Sequence, residues 1–292
     1  MTTGAVWLPA SPGLGGLYAT GAGRAALGRG RAAADPEPPA TELRVAAITA
    51  DAERLTRYQH LLGERATDEL PAGFVHALAF PVTLALMVRP EFPFSLLGML
   101  HLANHVTQHR PVRLGEGLDV SARVSSFAPH HAGVAVELEA TAGVGQETVW
   151  RGVSTYLAKG ARLAGGARPE RPDRPEFVPP VPTARWELPA DVGKRYAAVS
   201  GDHNPIHTTV LAARALGFPR RIAHGMYTAS RALAAAADLR GDAFEWSVEF
   251  AKPVLLPGSV AVRVAPEATG VGLTVWQART GKPHLTGRID PV

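Results

Sequence analysis

Apolar and polar positions change period several times along the chain. Strict alternation over Leu118-Asp119-Val120-Ser121-Ala122-Arg123-Val124, and again over Val260-Ala261-Val262-Arg263-Val264, predicts half-buried strands. Residues 131–140, 148–157, 272–279 and 283–289 read as further strands. Ala52–Leu62 and residues 191–199 read as short amphipathic helices. Two more apolar helices each follow a histidine, one in Val75-His76-Ala77-Leu78-Ala79-Phe80 and one in Ala223-His224-Gly225-Met226-Tyr227-Thr228. Pro81, Pro90 and Pro93 are expected to break or shorten the first of these.

The order of these elements repeats. Tyr58 is followed five residues later by Gly63, and Tyr196 five residues later by Gly201. His76 then corresponds to His224. Arg110-Pro111-Val112-Arg113-Leu114-Gly115 corresponds to Lys252-Pro253-Val254-Leu255-Leu256-Pro257, and each leads into an alternating strand. Two halves of one long helix and four or five mostly antiparallel strands give an α+β fold, a helix wrapped by a curved sheet in each half. The copy is imperfect: Tyr58 to His76 spans 18 residues and Tyr196 to His224 spans 28, so the second half carries about ten extra residues.

Two segments fall outside the repeat. Residues 1–40 are rich in Gly, Ala, Pro and Arg and are expected to form a mobile or loosely packed arm. Tyr18 stands where the third glycine of a dinucleotide-binding loop would be needed. Residues 161–184 carry Pro169, Pro172, Pro175, Pro179, Pro180 and Pro182 and read as an extended linker. The halves are then 41–160 and 185–292.

Composition narrows the chemistry. Of 292 residues, 46% are hydrophobic and 19% charged, so the chain can bury a core. The absence of cysteine excludes disulfides, thiolate metal sites and cysteine nucleophiles. Net charge is +4, with the cations scattered (Arg24, Arg29, Arg31; Arg168, Arg171, Arg174; Arg220, Arg221) rather than in a block, which argues against nucleic acid as a partner. The longest apolar run, residues 75–88, is too short to span a bilayer and no signal peptide is evident, so a cytoplasmic protein without membrane contact is expected.

The extra residues of the second half hold the chemistry. In Ser200-Gly201-Asp202-His203-Asn204-Pro205-Ile206-His207, a carboxylate and an imidazole flank a turn built on Asn204-Pro205. A neutral imidazole takes a proton from water near pH 7, and a nearby carboxylate orients that water or returns a proton. Gly225 stands at the expected start of the second long helix, where free amides and the helix dipole favour a developing negative charge. An acid/base pair beside such a site suits the addition of water to, or its removal from, a carbon next to a thioester. Asp202 as a turn cap, His207 as a packed histidine and Gly225 as a packing glycine are the plain structural alternatives. Asn204 is expected to hold the turn, His224 to orient the loop or contact ligand, and Arg220, Arg221 and Lys252 to meet ligand phosphates. Thr208 is expected to cap a short helix over residues 210–216 that overhangs the site. His101, His105 and His109 recur every fourth residue, but they sit in a strand-like run without a His-Glu-x-x-His pattern, so no metal site is expected.

The run from Tyr196 through Ser200-Gly201-Asp202-x-Asn204-Pro205-Ile206-His207, Gly217-Phe218 and Ile222-Ala223-His224-Gly225-Met226 resembles the MaoC-like, or hydratase-2, motif of (R)-specific enoyl-thioester hydratases and dehydratases. With the weaker repeat, the resemblance covers about 250 residues and is similar to the two-hot-dog dehydratases of actinobacteria. It implies a double hot-dog fold. It implies catalysis by Asp202 and His207, with the Gly225 amide on the thioester carbonyl. It implies reversible dehydration of (3R)-3-hydroxyacyl thioesters of coenzyme A or acyl carrier protein in fatty-acid metabolism, with no cofactor. The first half lacks an Asp or His equivalent after Gly63, so one site per chain is expected, with the first half shaping the acyl pocket. An acyl-thioester hydrolase and a non-catalytic acyl-binding subunit are the rival readings. A second copy of the chain, as a homodimer, is a candidate partner.

Overall fold

The computed structural model describes residues 4–26, 36–163, 169–173 and 175–292. Parts of the expected arm and linker, with Arg29, Arg31, Arg168 and Arg174, therefore lie outside the described residues. In chain order the elements are β1 (Ala5–Trp7), α1 (Leu14–Ala26), β2 (Glu42–Ile48), α2 (Ala52–Leu62), β3 (Glu69–Leu70), α3 (Ala72–Met87), β4 (Leu100–Gln108), β5 (Val112–Arg113), β6 (Leu118–His130), β7 (Gly133–Val144), β8 (Glu147–Lys159), β9 (Ala184–Leu188), α4 (Val192–Ser200), α5 (Pro205–Thr208), α6 (Val210–Ala215), α7 (Gly225–Ala234), β10 (Phe244–Phe250), β11 (Gly258–Glu267), β12 (Gly270–Gln277) and β13 (Pro283–Pro291).

These fall into two compact units that interleave along the chain. One holds residues 4–49, 78–104 and 117–173; the other holds 50–77, 105–116 and 175–292. In the first, β1 runs parallel to β2, and β2, β6, β7 and β8 follow as antiparallel neighbours. Alternation in the sequence becomes alternation in burial: along β6, Leu118, Val120, Ala122 and Val124 are buried while Asp119 and Arg123 face out. In the second, β10, β13, β12, β11 and β9 form an antiparallel array, and α7 lies against β12. Its core includes Phe244, Trp246, Val262, Val275 and Ile289, with Tyr58, Phe74, Tyr196 and Tyr227 from the helices.

The repeat is visible in local geometry. Gly63 ends α2 at φ 77° and Gly201 ends α4 at φ 82°, both left-handed positions that favour glycine. Three expectations need correction. Residues 14–26 of the supposed mobile arm form α1, in which Leu14 and Gly21 are buried; a Cβ at Gly21 would lie 2.9 Å from Leu96 Cδ2, so the helix is seated by close packing. Pro81 does not break α3, which runs through it to Met87: the helix is apolar on nearly all faces, and burial outweighs one lost backbone bond. Pro90 and Pro93 follow the end of α3. Thr209, not Thr208, caps α6, its Oγ1 accepting from Ala212 N at 3.3 Å, because Thr208 is taken up as the last residue of α5. Among the described residues no helix is long and apolar enough to cross a membrane.

Candidate active site

Local rules build the turn that carries Asp202 and His207. α4 stops at Ser200, whose Oγ donates to Tyr196 O (2.8 Å) and accepts from Asp202 N (3.2 Å). Gly201 reverses the chain. Asp202 Oδ1 accepts from Asn204 N at 3.1 Å, and Asn204 Oδ1 accepts from Ile206 N at 3.3 Å, capping α5 with Pro205 at its first turn. Asn204 thus holds the turn. α5 lasts a single turn, and that turn carries His207 inward.

Three side chains then converge. Asp202, His207 and His224 place their ligand-type atoms within 4.8 Å of one another. His207 and His224 are 8% and 3% exposed, and their rings stack at 3.6 Å. Each imidazole is oriented by a backbone carbonyl, which can only accept, so the bonded nitrogen carries the proton. His207 Nδ1 donates to Ile222 O at 2.9 Å, leaving Nε2 with a lone pair. His224 Nε2 donates to Asp202 O at 2.9 Å and lies 3.8 Å from Asp202 Oδ2. His224 therefore ties the α7 start to the Asp202 turn.

Burial keeps both rings neutral. It lowers the His207 pKa, against the opposing pull of the Asp202 carboxylate and the Ile222 carbonyl bond. It lowers His224 further, to about 3, and the adjacent His207 adds to the effect. A neutral His207 with Nε2 unprotonated has the form of a general base at pH 7. One carboxylate and two imidazoles could also hold a metal ion, and this is the one such group among the described residues. The proton of His224 is on Nε2, given to the Asp202 carbonyl, so within this arrangement its buried Nδ1 is the nitrogen with a lone pair to offer.

α7 begins at Gly225, with His224 as its N-cap and no side-chain cap bond. The first amides of α7 thus face outward from the helix beside the cluster. A Cβ at Gly225 would lie 3.0 Å from Phe250 Cε1, so any larger residue here would have to displace that ring by a few tenths of an ångström. The expected phosphate ligands are not brought into the cluster by these contacts. Arg220 is exposed and donates to Pro257 O at 3.2 Å; Arg221 reaches Thr208 O at 3.5 Å; Lys252 is exposed, its backbone bonded to Pro283 and His284.

Two residues of the first half belong to this neighbourhood and were not singled out as site residues. Burial drives the His76 pKa down to about 4, and Asp202 is the charge that pulls it back up, which places His76 within the field of that carboxylate. Its equivalence to His224 in the repeat was the signal that could have flagged it. The other is Arg54, which donates from Nε to Val199 O (2.7 Å) and from a terminal nitrogen to Ser200 O (2.9 Å). No sequence pattern marks it.

Residues 169–286 match the MaoC-like domain family. The chain is 37% identical over 268 residues to 3-hydroxyacyl-thioester dehydratase X of Mycobacterium tuberculosis, covering 89% of this chain and 95% of that protein. The crystal structure of HtdX from Mycobacterium tuberculosis superposes with a TM-score of 0.76 at 34% identity, covering 86% of this chain and all of that one. A further Mycobacterium tuberculosis protein, described as having a double hot-dog fold, matches with a TM-score of 0.52 at 13% identity over 83% of this chain and 92% of its own, a likeness of fold alone. With the helix–turn–helix that carries Asp202 and His207, the histidine-capped α7 and these likenesses over nearly its whole length, the chain is a double hot-dog protein and belongs to the MaoC-like dehydratase family.

Proposed function

We propose that the chain reversibly dehydrates (3R)-3-hydroxyacyl thioesters to trans-2-enoyl thioesters in fatty-acid metabolism. The carrying observation is the anchoring of His207: its Nδ1 is committed to Ile222 O, which leaves Nε2 as a base beside the Asp202 carboxylate and the first amides of α7. In the hydration direction a water lies between Asp202 and His207. His207 Nε2 takes one proton as the oxygen bonds to C3. The electron pair of the C2–C3 double bond moves toward the thioester oxygen, whose charge the Gly225 amide and the α7 dipole stabilise. A proton returned to C2 completes the addition. Dehydration is the reverse. The substrate carrier is coenzyme A or acyl carrier protein, and the setting is the cytoplasm. We further propose that residues 41–160 and 185–292 are the two hot-dog repeats, joined by 161–184, with one site per chain and the first repeat lining the acyl pocket. Arg220, Arg221 and Lys252 are assigned to carrier phosphates by the sequence alone, and a second copy of the chain remains the proposed partner.

Asp202→Asn and His207→Ala test the assignment in steady-state hydration of crotonyl-CoA and of a longer enoyl-CoA. Loss of at least about a hundredfold in kcat is expected for each, in the range of general acid–base catalysis. Near-wild-type hydration by either variant would remove that residue from the mechanism. Release of free thiol from the same substrates, followed with a thiol reagent, would mark a thioester hydrolase instead.

A further inference from the structure

We infer that Arg54 is a positioning residue for Asp202: the guanidinium clasps the last two carbonyls of α4 and so sets where the following turn presents the carboxylate. The two contacts come from different nitrogens of one planar fork, Nε to Val199 O at 2.7 Å and Nη2 to Ser200 O at 2.9 Å. Carbonyls at a helix C-terminus have no partner within the helix, and a cation there also meets the negative end of the dipole. Gly201 N closes back on Ala197 O, so Val199 and Ser200 lie beyond that last helical bond and are open to an outside donor.

Arg54 is itself held. Its backbone amide donates to the Asp51 carboxylate at 2.7 Å, the N-cap of α2, and its guanidinium lies 5.4 Å over the Phe74 ring. Among the described residues its side chain makes no carboxylate hydrogen bond, and both of its hydrogen bonds go to α4. Ser200 is then fixed by three hydrogen bonds: its carbonyl accepts from Arg54, and its Oγ donates to Tyr196 O and accepts from Asp202 N. Asp202 hangs two residues beyond, steadied on its far side by His224 and Asn204. Removing the clasp frees the near side of that turn while leaving the far side tied.

Arg54 has this role only if Asp202 carries the chemistry proposed above, and a double-variant cycle separates the two. Arg54→Ala, Asp202→Asn and the double variant are compared in crotonyl-CoA hydration well below their melting temperatures. Arg54→Ala should lower kcat ten- to a hundredfold, the order of cost of an ångström-scale misplacement, with KM within about twofold. Added methylguanidinium should restore part of that loss. In the Asp202→Asn background the Arg54 change should cost less than about twofold, because the carboxylate it positions is already gone. An equal loss in both backgrounds, or wild-type kcat in folded Arg54→Ala, overturns the inference while leaving the Asp202 assignment standing. Wild-type activity of Asp202→Asn alone overturns both. If Arg54→Ala does not fold, Arg54→Lys, which keeps the charge but loses the fork, should show a several-fold loss in kcat with KM unchanged, and wild-type kcat there counts against the inference.

Discussion

Gly193, the second residue of α4, is buried directly beneath the backbone of His207. A Cβ built there would lie 2.3 Å from His207 O, 3.1 Å from its carbonyl carbon and 3.4 Å from its Cβ. The nearest approach is short of ordinary contact by about 1 Å, and the atom it meets is backbone rather than the flexible end of a side chain. Gly193→Ala must therefore push the α5 turn away from α4 by roughly that distance, and His207 moves with it. Its Nδ1 bond to Ile222 O, now 2.9 Å, would stretch or the ring would rotate; either way Nε2 leaves its place beside Asp202. A displacement of about 1 Å at a catalytic group costs on the order of a hundredfold in rate. Stability should change less. Overpacking costs about 1–3 kcal/mol, offset by up to about 1 kcal/mol gained from alanine in a helix. The assay is kcat for enoyl-CoA hydration alongside a thermal melt, with Gly23→Ala in α1 as a control, since nothing lies within 4 Å of its added Cβ. A Gly193→Ala enzyme with kcat within about twofold of wild type would refute the reasoning: His207 would then have freedom to shift without consequence.

Two predictions concern stability and pH. Glu64 is pushed up to about 7 by burial, with Arg240 pulling it back, so the folded state holds a proton that the unfolded state releases near 4.5. Stability should therefore fall as pH rises from about 4.5 to 7, by up to roughly 3 kcal/mol, and Glu64→Gln should abolish that fall in urea melts; an unchanged slope would mean the carboxyl is already ionised in the fold. His76 and His224 are lowered to about 4 and about 3, and burial lowers His207 and His284 too, so below pH 6.5 the unfolded chain takes up at least two protons that the folded chain refuses. Measured in the Glu64→Gln background, where the opposing contribution is gone, stability should drop by at least about 2.4 kcal/mol between pH 6 and 5, and a flat profile there would show that both rings are protonated in the fold.

Most of the site could be read from the sequence because it is built from local chemistry. A left-handed glycine, an Asx turn at Asp202, an Asn cap followed by Pro at Asn204-Pro205, and a helix start at Gly225 each depend on residues within a few positions. The strands of both units follow the alternation for the same reason. What could not be read depends on partners distant in sequence. α1 looks like a Gly/Ala-rich tail until Leu96 is seen against Gly21. α3 tolerates Pro81 because nearly every other residue in it is buried, a property of its surroundings. Arg54 is an ordinary polar-face arginine until 145 residues of chain bring Val199 beside it.

The offset between the repeats explains why Gly193 and Arg54 differ from their counterparts. Aligning Tyr58 with Tyr196 and Gly63 with Gly201 pairs Leu55 with Gly193 and Arg54 with Val192. Leu55 is 2% exposed, an ordinary core position on α2. Its counterpart on α4 cannot be leucine, because the extra residues of the second half fold α5 down onto that face and occupy with the His207 backbone the space a side chain would fill. The insertion thus demands the glycine. The reverse holds next door: Val192 is buried at the start of α4, whereas Arg54 turns its side chain to the end of α4 and closes the carbonyls left open there. In one copy of the repeated helix a glycine leaves room for the turn that carries Asp202 and His207, and in the other a cation holds that turn. The extra residues are thus matched by differences at two adjacent aligned positions, and a Leu at 193 should be incompatible with α5 in its present place.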